Sequence, residues 1–196
     1  MKEMIKMVLV LTALSVFSGG SLAFFQGFTA QDIENNQLKF IKGPAVEQIL
    51  TGSSNDPIKN RFKLKVDDSE RNFFVGVMDG KPKAVAFESS GKGFGGDVGI
   101  MVGVDLDTDK ILGVGVTTHS ETPGMGSRAK TDPTFVSQFK GQPLEQDFKV
   151  KSDGGQVDAI TGATITSRAV AVGVTAAAKV YKEIKPQLIE NAKSFK

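Results

Sequence analysis

The spacing of apolar and polar positions changes several times along this 196-residue chain, and each change marks an element. Residues 7–28, MVLVLTALSVFSGGSLAFFQGF, carry no charge. About 22 residues at ~1.5 Å each span the ~30 Å hydrocarbon core of a bilayer, so this run predicts a membrane helix. Residues 29–60 are polar and mixed, with a short apolar stretch at 46–50 ahead of the turn-rich Thr51-Gly52-Ser53-Ser54-Asn55-Asp56-Pro57. That pattern predicts a short helix and a loop. Apolar runs at 73–77 and 84–87 flank Asp79-Gly80-Lys81-Pro82, which predicts a hairpin. A second hairpin is expected from the β-like runs 99–106 and 111–117, separated by a stretch rich in turn residues.

From Ser167 to Ile184 the period shifts to that of a helix, with Val170, Val174, Ala177, Ala178 and Tyr181 on one face and a stop expected at Pro186. Strands followed by a helix, without alternating βαβ units, predict an α+β domain with a mainly antiparallel sheet and a C-terminal helix. The expected division is an anchor over 1–28 and one globular domain over 29–196.

Charge fixes the expected topology of the anchor. Lys2 and Lys6 precede the apolar run, and Asp32 and Glu34 follow it. The positive-inside rule then leaves the N-terminus in the cytoplasm and the body outside the inner membrane. A cleaved signal peptide is the competing reading, because Ser21-Leu22-Ala23 resembles a cleavage site, and it exports the body equally well.

Composition removes several function classes. The net charge is only +2, there is no Trp and one Tyr, and no long basic run exists, which argues against nucleic-acid binding. Cysteine is absent, which excludes disulfides, thiolate zinc sites, iron–sulfur clusters and c-type haem attachment within the chain. One histidine, His119, cannot build a bis-His haem site or a His cluster for a metal. Redox chemistry, if present, needs an organic cofactor.

Three segments carry candidate chemistry. Gly91-Lys92-Gly93-Phe94-Gly95-Gly96 satisfies G-x-G-x-x-G formally, but a β-like run follows where a dinucleotide fold needs a helix. Its glycines either form a flexible connector or allow a close backbone approach. His119-Ser120-Glu121-Thr122-Pro123-Gly124-Met125-Gly126 combines an imidazole, a carboxylate and a hydroxyl with a Pro-Gly turn; it is either a ligand-binding loop or a solvated turn. Asp158-Ala159-Ile160-Thr161-Gly162-Ala163-Thr164-Ile165-Thr166-Ser167 supplies four hydroxyls just before the long helix. Thr166 or Ser167 reads locally as its N-cap, and the helix start favours a phosphate beside it.

The Asp-x-x-Thr-Gly-Ala-Thr arrangement at 158–164 resembles the flavinylation motif of FMN-binding domains. Together with the His-x-Glu-Thr-Pro-Gly segment at 119–124, the glycine cluster and the N-terminal apolar run, it makes the chain similar to the G subunit of the Rnf electron-transport complex. Position 161 is Thr where many relatives have Ser, which keeps the hydroxyl. The resemblance implies FMN esterified through its phosphate to Thr164 by a flavin transferase that reads Asp158. It also implies a cofactor environment of Thr161, Gly162, Ala163, Thr166 and Ser167, with His119, Glu121, Thr122, Pro123, Gly124 and Gly126 along the ring. The implied partners are the membrane subunits of the complex, the transferase and membrane lipid. The implied role is electron transfer without independent turnover, in a complex that couples electron transfer between ferredoxin and NAD+ to Na+ or H+ movement. Two other readings stay open: the flavin subunit of a Na+-translocating NADH:quinone oxidoreductase or of an extracytoplasmic flavin reductase system, and an anchored, non-redox binding module.

Overall fold

The computed structural model describes residues 1–67 and 69–195. It divides into two compact units, one from Met1 to Leu38 and the other from Lys39 onward.

The first unit is a single helix, α1 (Lys2–Gln37), longer than the 1–28 segment expected. Its apolar side chains, among them Leu9, Leu11, Phe17, Leu22 and Phe25, are all well exposed. Residues Lys2–Ala30 are long and apolar enough to cross a membrane. A helix apolar on every side, with nothing from its own unit to cover it, is suited to lipid.

A π-helical turn (Leu38–Lys42) leads into the second unit, which contains the short helix α2 (Gly43–Ile49) and five strands. The strands are β1 (Arg61–Val66), β2 (Ser69–Met78), β3 (Lys81–Lys92), β4 (Asp97–Asp105) and β5 (Ile111–Val116). They form one antiparallel meander in the order β1-β2-β3-β4-β5. The β2–β3 connection places Asp79 at φ 53° and Gly80 at φ 71°. Two consecutive left-handed residues are what a two-residue hairpin turn of matching twist demands, and Asp-Gly supplies them at little cost.

Both faces of the sheet are covered. On one face Phe73, Val75, Val85, Phe87, Val98, Ile100 and Val102 pack into a core with the long helix α5 (Thr164–Ala192). Phenylalanine rings in contact extend that core to the edge strand, with centroids 5.6 Å apart for the stacked Phe62–Phe73 pair and 5.3 Å for the tilted Phe73–Phe87 pair. On the other face α2 lies over glycines: a Cβ on Gly103 would sit 2.1 Å from Ile49 Cγ2, and one on Gly115 would sit 3.3 Å from Ala45 Cβ. Between β5 and α5 the chain forms α3 (Arg128–Thr131), α4 (Pro133–Ser137) and a 3-10 turn (Lys151–Asp153). Phe135, Phe139 and Phe148 pin this segment to the core.

Two local expectations are corrected. The helix does not stop at Pro186 but runs through it to Ala192. The missing amide costs about 3 kcal/mol, yet Leu188 and Ala192 beyond it are fully buried, and their burial holds the last turns in place. Nor does α5 begin at Ser167: its first residue is Thr164, its N-cap is Ala163, and no side chain caps it. Thr166 and Ser167 lie inside the first turn.

The position of α5 on the sheet is set by two glycines. A Cβ on Gly91 would sit 2.0 Å from the Ala169 carbonyl oxygen, and one on Gly173 would sit 2.2 Å from Ile100 Cδ1. Helix and strand therefore touch backbone to backbone at the end of β3. This contact brings the first turn of α5 beside the Gly93–Gly96 turn.

Candidate functional site

Three segments distant in sequence meet at that end of the sheet, and a buried carboxylate joins them. Glu121 is only 6% exposed. Its Oε1 accepts the Gly95 amide at 2.8 Å, and its Oε2 accepts the hydroxyl of Thr166 in the first turn of α5. The glycines make room for it. A Cβ on Gly93 would lie 2.6 Å from Glu121 Oε1, one on Gly126 would lie 2.8 Å from Oε2, and one on Gly95 would lie 2.0 Å from the Ser120 carbonyl oxygen. The glycine cluster is thus a close-approach device wrapped around Glu121, not a flexible connector.

The loop after β5 is part exposed turn and part buried anchor. Thr122, Pro123 and Gly124 are exposed and form a turn in which the Thr122 carbonyl accepts the Met125 and Ser127 amides at 3.2 Å each. Gly124 has φ 75°, and its amide donates to Ser127 Oγ at 2.9 Å. Glu121, by contrast, is no solvated turn residue. His119 Nδ1 accepts the Glu121 amide at 3.3 Å, which in a neutral ring leaves the proton on Nε2.

The 158–167 segment sorts its hydroxyls into used and free. Ser167, fully buried, accepts the Ile160 amide at 2.9 Å and donates to the Ala163 carbonyl at 3.0 Å, knotting the loop to the helix. Thr166 is committed to Glu121. Thr161 is exposed, and Thr164 is half-buried at the first helical position; neither hydroxyl has a hydrogen-bond partner among the described residues. Gly162, at φ 82°, turns the chain away from Thr164, and the Met125 methyl would lie 3.3 Å from a Cβ placed on it. The 119–126 loop and the 158–164 segment are therefore neighbours. The uncapped first turn of α5 points unpaired amides toward the space beside Thr164, a suitable seat for a phosphate. Phe94, Met125 and Ile165 add exposed apolar surface to these same segments.

Asp158 stands apart from this cluster, its carboxylate exposed and 2.7 Å from Lys151 Nζ. Farther along, the Arg168 guanidinium binds Asp153 at 2.5 and 2.8 Å and holds that carboxyl below its ordinary range. Gln138, which no sequence motif singles out, hydrogen-bonds the Asp158 backbone. No local pattern announces it, because its partner lies 20 residues away.

The close-packed glycines, the free hydroxyl at a helix start and the neighbouring polar loop fall within one stretch of chain, and residues 93–179 match the FMN-binding domain family. That span begins at the glycine turn and takes in the whole cluster. The G subunit of the ion-translocating oxidoreductase complex of Vibrio cholerae (strain M66-2) is 31% identical over 192 residues, covering 92% of this chain and 91% of that one. Its counterpart in Pseudomonas aeruginosa (strain UCBPP-PA14) is 30% identical over 201 residues, covering 96% and 93%. The chain belongs to this G-subunit family. Among solved structures, Shewanella oneidensis NqrC superposes with a TM-score of 0.53 at 28% identity, covering 70% of this chain and 71% of that one. The C subunit of the Na+-translocating NADH-quinone reductase from Parabacteroides distasonis gives 0.50 at 31% identity, covering 59% and 63%.

Proposed function

We propose that this chain is the FMN-bearing electron carrier of a membrane-bound, Rnf-type ion-translocating oxidoreductase complex, with the FMN phosphate esterified to Thr164. The observation that carries the attachment site is the sorting of hydroxyls. Of the four in the 158–167 segment, Thr166 and Ser167 are buried and bonded, which leaves Thr161 and Thr164, and of these Thr164 stands at the start of α5 beside its unpaired amides. Bound FMN supplies the redox chemistry. The protein's part is to tether and surround it. The first amides of α5 would hold the phosphate, Gly162 and Ala163 would leave room beside it, and the 119–126 loop would line the ring. A tether keeps the cofactor on a domain facing surroundings poor in free FMN.

Relatives spanning over nine-tenths of both chains favour the G-type over the C-type assignment. The remaining membrane subunits are the electron-transfer partners, and a flavin transferase acts during maturation. Lys2 and Lys6 before the apolar run support an uncleaved anchor in the inner membrane with its N-terminus in the cytoplasm and the body outside. Protease accessibility in intact spheroplasts and N-terminal sequencing test this topology; a mature chain starting near Phe24 would overturn the anchor.

Peptide mass spectrometry tests the attachment. Thr164→Val should abolish the FMN mass increment and in-gel flavin fluorescence, while Thr161→Val and Thr166→Val keep both. Flavin retained on the Thr164→Val protein would move the site.

A further inference from the structure

Gln138 follows α4 directly, between Phe135 and Phe139, which are 2% and 0% exposed in the core. The Asp132 carboxylate caps the start of α4 by accepting the Thr134 amide at 3.0 Å, so the short helix is held at both ends. From this fixed base the carboxamide reaches across 20 residues of sequence. Its Oε1 accepts the Asp158 amide at 2.7 Å, and its Nε2 donates to the Asp158 carbonyl at 3.2 Å and to the Phe135 carbonyl at 3.2 Å. One side chain thereby pairs with both backbone groups of Asp158, as a neighbouring strand would.

We infer that Gln138 is a positioning residue for flavin attachment, its carboxamide latching the Asp158 backbone so that the 158–164 loop meets the flavin transferase already in its reactive shape. The inference rests on attachment of FMN to Thr164. Ser167 fixes the other end of the loop through Ile160 and Ala163, so Thr161 and Gly162 project between two held points. The Asp158 carboxylate stays available: its pair with Lys151 joins two side chains that are 60% and 66% exposed, and such pairs are weak. Backbone fixed and carboxylate free is the arrangement a transferase that reads Asp158 needs.

In the transfer, Thr164 Oγ attacks the flavin-side phosphorus of FAD. The Oγ–P bond forms as the pyrophosphate P–O bond breaks, AMP leaves, and the hydroxyl proton is released. Gln138 touches none of these atoms. Its effect is on the cost of ordering the loop at the encounter, so its loss raises KM for the acceptor protein and leaves kcat nearly unchanged.

The test uses full-length protein in detergent, purified transferase and FAD, and follows covalent FMN on Thr164 with time. Gln138→Leu keeps the shape without the hydrogen bonds, and Gln138→Glu keeps the acceptor for the Asp158 amide alone. Gln138→Leu should raise KM about tenfold with kcat within about twofold, and Gln138→Glu should fall between it and the parent. Hydrogen exchange should show the Asp158 amide deprotected in Gln138→Leu while the Ser167 amide, bonded to the Ala163 carbonyl, stays as in the parent. Parental kcat/KM in Gln138→Leu overturns the inference. So does a loss accompanied by a lowered melting temperature and exchange throughout α5, which would make Gln138 a general fold residue. A parent protein without flavin on Thr164 refutes the attachment itself and this role with it.

Discussion

Glu121, in the loop after β5, accepts the hydroxyl of Thr166, in the first turn of α5, across 45 residues of chain. The same carboxylate accepts the Gly95 amide, so one side chain ties the glycine turn, the polar loop and the helix start together. Among the described residues the donors to this carboxylate are neutral, and each matters more than an ordinary exposed one.

Thr166→Val should therefore destabilise the domain by about 1.5–3 kcal/mol in denaturant unfolding, because it strips a donor from a buried carboxyl group. Thr164→Val, at a half-buried position with no partner, should change stability by less than about 0.5 kcal/mol. The two variants should thus fail in opposite ways, one in stability and the other in flavin content. Equal stabilities would mean that Glu121 is not held by Thr166.

Gly91→Ala probes the contact that places α5. The added methyl would meet the Ala169 carbonyl, which is backbone and has no flexible end to move aside. An overpacking cost of about 1–3 kcal/mol is expected, with slower flavin attachment as the first turn of α5 is pushed from the glycine turn. A melting temperature and attachment rate equal to the parent's would show that the helix yields freely there.

The sequence disclosed elements whose signals are local. Asp79-Gly80 announces its hairpin because the turn itself selects those residues. Strand β1 went unassigned because Arg-Phe-Lys-Leu-Lys-Val alternates charge with apolar residues at a sheet edge, of which only Val66 is buried, and its lysines mask the period. The full length of α5 was hidden by Pro186, since the compensation comes from Leu188 and Ala192 packing on partners remote in sequence. The acceptor motif stood out through its resemblance to a family, but the burial of Glu121 did not. A carboxylate is normally exposed, and its two donors come from separate segments. The same non-locality kept Gln138 out of view.

Thr122 is the cleaner probe of the proposed ring environment, because Glu121 carries the fold and Thr122 is exposed at the turn. Its backbone makes the turn, so Thr122→Ala leaves the Met125 and Ser127 hydrogen bonds intact. If the hydroxyl bonds the bound ring more strongly in one redox state, losing about 1 kcal/mol shifts a two-electron potential by about 20 mV. Spectroelectrochemical titration of the fully flavinylated variant reads this directly. A midpoint equal to the parent's would make the Thr122 side chain a bystander.

At the β4–β5 turn, away from these segments, Asp109 takes up φ 57° and accepts three hydrogen bonds, from Tyr181 OH at 2.6 Å and from Lys185 Nζ at 2.6 and 2.7 Å. Burial pushes the Asp109 carboxyl up, but the Lys185 and Tyr181 hydrogen bonds and the Lys185 charge outweigh it and leave the carboxyl below its ordinary value. A carboxyl depressed in the folded state contributes stability that is fully present above the unfolded value of about 3.9 and is lost as pH falls through the folded value. Asp109→Asn keeps the shape and tolerates the left-handed backbone, so it should cost about 0.5–1 kcal/mol at neutral pH, discounted because the Asp109 side chain is 40% exposed. The difference from the parent should shrink below about pH 4. The opposite limb reports on Tyr181, whose phenol is pushed well above its ordinary value by burial first and by Asp109 second. Stability from a raised phenol is present below about pH 10 and fades as pH rises beyond it. Because the chain has one Tyr and no Trp, phenolate absorbance follows this single group. Measured on flavin-free Thr164→Val protein, it should stay suppressed well past pH ~10 and appear with unfolding, and adding Asp109→Asn should bring it to lower pH. Ordinary phenol titration in the folded Thr164→Val protein would show that the Asp109–Tyr181 bond does not persist in solution.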